Sequence, residues 1–242
     1  MRTIVVIPAR LASTRLPRKP LADIAGVPMI VHVWRRAREA RVGPVLVAAG
    51  EPEIAETVRE AGGEAVLTDP NLPSGSDRVH AALRVRDPDR AFDAVINLQG
   101  DLPTIAPSLI AGLAATLARG NADIATLVAE IADENELSDS NIVKALVSWD
   151  ADGRRGRALD FTRKATRSGY QHIGIYAYRR AALERFVALP ASPRESRERL
   201  EQLRALDAGM SIAVALVDTV PVGVDTPADL EAVRRALAGH ST

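Results

Sequence analysis

Apolar residues in this chain come first in short unbroken runs separated by helical stripes. Residues 3–7 are continuous, rich in β-branched side chains and stopped by Pro8, the pattern of a strand buried on both faces. Across 28–41, Ile30, Val33, Trp34, Ala37 and Ala40 recur at helical spacing, and Pro28 suits a first turn. The alternation continues with a strand at 44–49, a helix at 51–61 ended by Gly62 and Gly63, and a strand at 64–67. Ser74 and Asp77 cap a further helix running to about residue 85, and a strand follows at 93–98. Such a rhythm predicts a parallel sheet covered on both faces. Beyond about residue 120 the pattern changes. Residues 123–130, 142–148, 157–161 and 171–178 read as strands joined by loops, and amphipathic helices return at 181–189, 193–208 and 227–238. The expected fold is therefore α/β, a Rossmann-like, mainly parallel sheet flanked by helices. A single domain spans 1–242, with a smaller β-rich subdomain at about 120–180 and 190–210.

Composition narrows the function. Lys and Arg total 31, as do Asp and Glu, so no global excess draws the chain to nucleic acid or an anionic membrane. Aromatics are only 3%, too few for a base-stacking surface. The absence of cysteine excludes disulfides and thiol catalysis and fits a cytoplasmic setting. The first apolar run is too short for a signal-peptide core, and no later run approaches a membrane span.

Local clustering is more informative than the total charge. The stretch Pro8-Ala9-Arg10-Leu11-Ala12-Ser13-Thr14-Arg15-Leu16-Pro17-Arg18-Lys19-Pro20 sets four cations and two hydroxyls directly after the first strand. In open parallel sheets ligands bind beyond the carboxyl ends of the strands, and Gln99-Gly100-Asp101 ends another strand there. Cations and hydroxyls suit a polyphosphate, and a carboxylate suits Mg2+. Together they point to nucleotidyl transfer. No P-loop and no G-x-G-x-x-G after the first strand are present, which argues against a P-loop kinase and a dinucleotide-dependent oxidoreductase. The absence of G-x-S-x-G and the presence of only four histidines argue against a serine hydrolase.

The opening loop closely resembles the signature of the 3-deoxy-D-manno-octulosonate (Kdo) cytidylyltransferases, the CMP-Kdo synthetases. The resemblance continues through Ser74-Gly75-Ser76-Asp77-Arg78, Asn97-Leu98-Gln99-Gly100-Asp101, His172-Ile173-Gly174-Ile175-Tyr176, Leu200-Glu201-Gln202-Leu203-Arg204 and Gly223-Val224-Asp225-Thr226-Pro227. It implies a fold of the nucleotide-diphospho-sugar transferase type. It also implies transfer of CMP from CTP to Kdo with Mg2+, by direct attack of the sugar on the α-phosphorus, for lipopolysaccharide biosynthesis, in a cytoplasmic homodimer. Carried over, Arg15, Lys19, Asp101 and Asp225 are catalytic, with Asp101 and Asp225 binding the metal. Pro8, Ala9, Arg10, Ser13, Thr14, Arg15, Lys19, Ser74, Gly75, Arg78, Gln99 and Gly100 contact CTP. Arg15, Gln99, Arg163, His172, Tyr176, Glu201 and Gln202 contact the sugar. Three departures stand out: Arg18 replaces a family glycine, Asp160 replaces an aromatic, and the loop at 163–171 is short and lacks the usual Pro-Trp. They leave open a related acidic sugar, such as an 8-amino Kdo. A catalytically silent CTP-binding paralogue is a further alternative, disfavoured because Asp101 and Asp225 are both present.

Overall fold

In the computed structural model, residues 1–131, 133–166 and 168–238 are described, and they form two compact units, one of 1–111 with the returning segment from Pro221, the other within 112–220. The first unit begins with β1 (Thr3–Ala9), then a small hairpin of β2 (Asp23–Ile24) and β3 (Val27–Pro28) leads into α1 (Met29–Glu39). β4 (Val45–Ala49), α2 (Pro52–Glu60), β5 (Glu64–Leu67), α3 (Gly75–Arg86) and β6 (Ala94–Asn97) follow. The strands lie in the order β5-β4-β1-β6, all parallel. Central β4 is apolar and buried throughout, and β1 is so from Ile4 to Ile7, as their unbroken apolar runs require.

The chain leaves this unit along α4 (Pro107–Arg119). The second unit holds β7 (Ile124–Glu130), β8 (Lys144–Trp149), β9 (Arg155–Thr162) and β10 (Tyr170–Arg179). They are followed by α5 (Arg180–Ala188), α6 (Pro193–Glu198), α7 (Gln202–Asp207) and β11 (Ile212–Val217). Its strand order is β10-β7-β11-β9-β8, and β8 also pairs with the start of β10, so the five strands close into a ring. The chain then returns to the first unit and ends its described part with α8 (Pro227–Ala238).

The helix expected at 193–208 is two helices. Arg199 takes a left-handed backbone, φ 55° and ψ 45°, which ends α6, and α7 begins at Gln202. Ser192 and Glu195 form a reciprocal capping box at the start of α6. α4, β11 and the β2–β3 hairpin add elements beyond those expected.

A small core fixes the geometry of the opening loop. Leu16 from the loop, Ile24, Met29, and Val224, Leu230 and Val233 from the returning segment are buried against one another. The Val224 amide donates to the Asp101 carbonyl at 2.9 Å. Residues far apart in sequence are thus fastened at both backbone and side-chain level. Among the described residues no helix is long and apolar enough to cross a membrane.

Candidate active site

The carboxyl end of β1 opens into a cavity of about 350 Å³ whose wall carries Ser13, Thr14, Arg15, Lys19, Asp101 and Asp225. A second cavity of about 210 Å³ shares Pro8, Ala9, Arg10 and Gln99 with the first and adds Ser74, Gly75 and Arg78. Every residue expected to meet CTP therefore lines one of these two spaces, Gly100 in the first. Gly100 packs closely on the loop: a Cβ there would come 3.0 Å from the Pro8 carbonyl oxygen, a tight approach.

The two carboxylates converge on one ammonium. Lys19 Nζ lies 2.8 Å from Asp101 Oδ2 and 2.9 Å from Asp225 Oδ1. Arg15 Nη2 is 3.1 Å from the other oxygen of Asp225. Burial by itself would lower the pKa of Lys19, but the charge and hydrogen bonds of Asp101 and Asp225 outweigh it and raise the pKa above the ordinary lysine value. Lys19 is thus firmly cationic. Asp225 owes its position to α8, where Asp229 Oδ2 accepts from the amides of Asp225 and Thr226 at 3.0 and 2.8 Å.

Ser74 caps α3, accepting from the Asp77 amide at 3.2 Å, so a helix N-terminus with its positive dipole end faces the second cavity beside Gly75. Arg78 is buried, and its guanidinium is committed to the wall: Nη1 donates to Thr68 Oγ1 at 2.6 Å and Asp69 O at 3.0 Å, and Nη2 to Pro70 O at 3.1 Å. Burial, with the neighbouring Arg10 charge, lowers its pKa from the ordinary arginine value. Its contribution is to hold the 68–70 turn in place.

Arg18, the residue standing where the resembled family has glycine, adopts φ 57° and ψ 28°. This is the left-handed conformation that a glycine reaches without strain. Its guanidinium pairs with Glu53 in the first turn of α2, and Glu51 Oε2 accepts from the Leu11 amide at 2.9 Å. Neighbouring carboxylates at one end of α2 therefore hold both ends of the cationic loop.

Of the expected sugar contacts, Arg15 and Gln99 line the first-unit cavity, whereas Arg163, His172, Tyr176, Glu201 and Gln202 belong to the second unit. The His172 and Tyr176 rings are 5.5 Å apart, and the charges of Arg163 and Glu201 are felt at His172 and Tyr176 respectively. Gln202 is buried at the start of α7. A register irregularity in β10 between Ile173 and Tyr176 is filled by Thr126. Thr126 Oγ1 lies 3.0 Å from His172 Nε2, 3.1 Å from Ile173 O and 2.9 Å from Ile175 O. Carbonyls only accept, so the hydroxyl proton goes to one of them and Nε2 donates to the hydroxyl oxygen. That network assigns the neutral Nε2–H tautomer and leaves Nδ1 as an acceptor. Burial, reinforced by Arg163, lowers the His172 pKa to about 3, so the ring stays neutral. Asp160, the second departure, pairs with Arg194, which also binds Asp207 at 2.8 Å.

Sequence reasoning did not single out Thr126, Lys144, Glu51 or Arg194. Only the three-dimensional closure of strands and the αL turn at Arg18 reveal what they hold.

A loop of cations and hydroxyls beyond a parallel strand, facing two carboxylates, defines a nucleotidyltransferase. The chain belongs to the cytidylyltransferase family, whose sequence pattern matches residues 4–212, and within it to the 3-deoxy-manno-octulosonate cytidylyltransferases. It is 63% identical to the 3-deoxy-manno-octulosonate cytidylyltransferase of Parvibaculum lavamentivorans, over 98% of this chain and 93% of the relative. It is 57% identical to that of Paramagnetospirillum magneticum, over 97% of each. Among solved structures, a CMP:2-keto-3-deoxy-manno-octonic acid synthetase complexed with CTP superposes with a TM-score of 0.89 at 38% identity, covering 99% of this chain and 100% of that one. A Leptospira borgpetersenii cytidylyltransferase shares the fold, at 15% identity and a TM-score of 0.66 over 99% of this chain and 87% of that one.

The family generally takes a divalent metal. Among the described residues no three His, Cys, Asp or Glu side chains gather into a metal-binding group. A small hard cation that keeps most of its waters needs only one or two carboxylates, and Asp101 and Asp225 already direct oxygens at one cationic centre, the Lys19 ammonium. The donor set fits.

Proposed function

We infer that this chain joins CTP to 3-deoxy-manno-octulosonate, releasing pyrophosphate, in the cytoplasm and as a homodimer. The anomeric hydroxyl oxygen forms a bond to the α-phosphorus, the bond from that phosphorus to the bridging oxygen of the β-phosphate breaks, and the hydroxyl proton is lost to solvent. No covalent enzyme intermediate is required, so the protein's work is positioning and charge neutralisation. Arg10, Ser13, Arg15 and Lys19 hold the triphosphate. Arg15 as a planar fork and Lys19 as a point charge strengthen as negative charge moves onto the departing pyrophosphate. Asp101 and Asp225 would hold magnesium, which when bound screens the phosphate charge and orients the reacting oxygens. Ser74, Gly75 and the main chain at Pro8 and Ala9 receive the nucleoside. In the second unit, Arg163 takes the sugar carboxylate, His172 Nδ1 accepts from a sugar hydroxyl, and Tyr176, Glu201 and Gln202 complete the recognition.

One observation carries this reading: Lys19 is gripped by Asp101 and Asp225 on the wall of the cavity that the opening loop lines. Pyrophosphate release with CTP and Mg2+ tests it across a panel of ulosonates. The Asp160–Arg194 pair in place of an aromatic favours including an amino-substituted acid in that panel. Release with that acid alone would reassign the sugar and leave the cytidylyl transfer standing.

A further inference from the structure

Lys144 lies in β8 and is fully buried. A buried ammonium is costly unless its protons find partners. Here Nζ donates to two main-chain carbonyls, Asp139 O at 2.8 Å and Arg163 O at 3.1 Å. The Asp139 carboxylate is itself engaged by the Asn141 amide at 2.8 Å and the Asn141 side chain at 3.0 Å. Burial lowers the Lys144 pKa below the ordinary value, the charge of Arg163 lowers it further, and that of Asp139 opposes both. A methionine or leucine would fill the same volume without that cost. What an apolar side chain cannot do is tie two loops together.

The strand ring explains where those loops meet. Lys144 is in register with Thr162 of β9 and with Gln171 of β10, and the neighbouring Val143 carbonyl accepts from the His172 amide at 2.8 Å. Gly169 packs on the lysine stem, where an added Cβ would lie 3.3 Å from the Lys144 Cβ. Arg163 reciprocates: its Nη1 donates to Ser140 O at 3.1 Å and Asn141 O at 3.3 Å. The lysine thus holds the main chain of Arg163, while the arginine side chain holds the loop the lysine also grips.

We propose that Lys144 is a positioning residue for the sugar acid, acting through Arg163 by fixing the main chain from which that guanidinium extends. The proposal rests on the reading of Arg163 as the partner of the substrate carboxylate. Steady-state kinetics with CTP and 3-deoxy-manno-octulosonate test it on the full chain, comparing wild type, Lys144→Met, Arg163→Ala and the double variant. Lys144→Met is expected to raise KM for the sugar about tenfold, the scale of a modest misplacement of a binding group, and to leave KM for CTP unchanged. The double variant is expected to be no worse than Arg163→Ala alone. An unchanged sugar KM in Lys144→Met, or an effect that multiplies in full with that of Arg163→Ala, overturns the proposal. Should Lys144→Met not fold, Lys144→Gln, which keeps an N–H donor, goes through the same cycle with a smaller rise expected and the same overturning results. If the wild type releases no pyrophosphate, the functional reading fails on its own. The role of Lys144 is then read from calorimetric binding of the sugar acid to the wild type and Lys144→Met, where equal affinity overturns it.

Discussion

Arg18 holds a left-handed backbone that costs an ordinary residue about 1 kcal/mol, and its ion pair with Glu53 is exposed on both sides. Such a pair contributes less than about 1 kcal/mol, so the conformation is imposed by the loop's anchors rather than by the pair. Arg18→Gly is therefore expected to leave the thermal midpoint within a few degrees, relief of strain offsetting the greater freedom of the unfolded chain. Arg18→Val, β-branched at positive φ, should lose about 1–2 kcal/mol in a urea titration. Thr126 sets the tautomer of His172 by offering its hydroxyl oxygen to Nε2. Thr126→Val removes that acceptor at nearly constant volume. The expected outcome is a severalfold higher KM for the sugar with kcat/KM for CTP little changed; an unaltered sugar KM would remove the hydroxyl from recognition. Because His172 stays neutral down to about pH 3, no inflection near pH 6.5 is expected in the sugar KM of the wild type.

The strands and helices legible from sequence are those with one clear period. β1, β4 and α1 announce themselves by unbroken apolar runs and a single stripe, and α3 by its Ser74 cap. α4 is harder to read, because Leu109, Ile110, Leu113 and Leu117 are interrupted by Gly112 and flanked by small residues. β11 carries alanine at alternate positions, which blurs its inward and outward faces. The break between α6 and α7 depends on one left-handed residue, Arg199, that no propensity reveals. Likewise the opening loop and Asp101 were visible as candidate chemistry, whereas the place of Asp225 beside them depends on packing between Leu16 and the segment returning at Val224. That packing has a consequence. Leu16→Ala should cost about 2–3 kcal/mol in denaturant unfolding and also weaken CTP binding, because Leu16 stands between Arg15 and Lys19. Loss of stability with unchanged CTP affinity would separate the core from the loop's function.

Across the whole chain the charges balance at 31 of each sign, and the anion-binding character comes from where a few cations stand. Acid sensitivity follows from the half-buried imidazole of His172. His172 has a folded pKa of about 3 against an ordinary 6.5. Between those values the unfolded chain binds a proton that the folded one refuses, so stability is whole above about pH 6.5 and declines as pH falls. The urea midpoint should be lower at pH 5 than at pH 7.5, and His172→Gln should flatten that difference. The chain's activity has a more direct test still. Given CTP, Mg2+ and 3-deoxy-manno-octulosonate, the wild type should release one pyrophosphate per sugar consumed, and Asp101→Ala should abolish release while circular dichroism shows an intact fold. Absence of pyrophosphate with any 3-deoxy-ulosonate, or near-normal release by Asp101→Ala, would contradict the account.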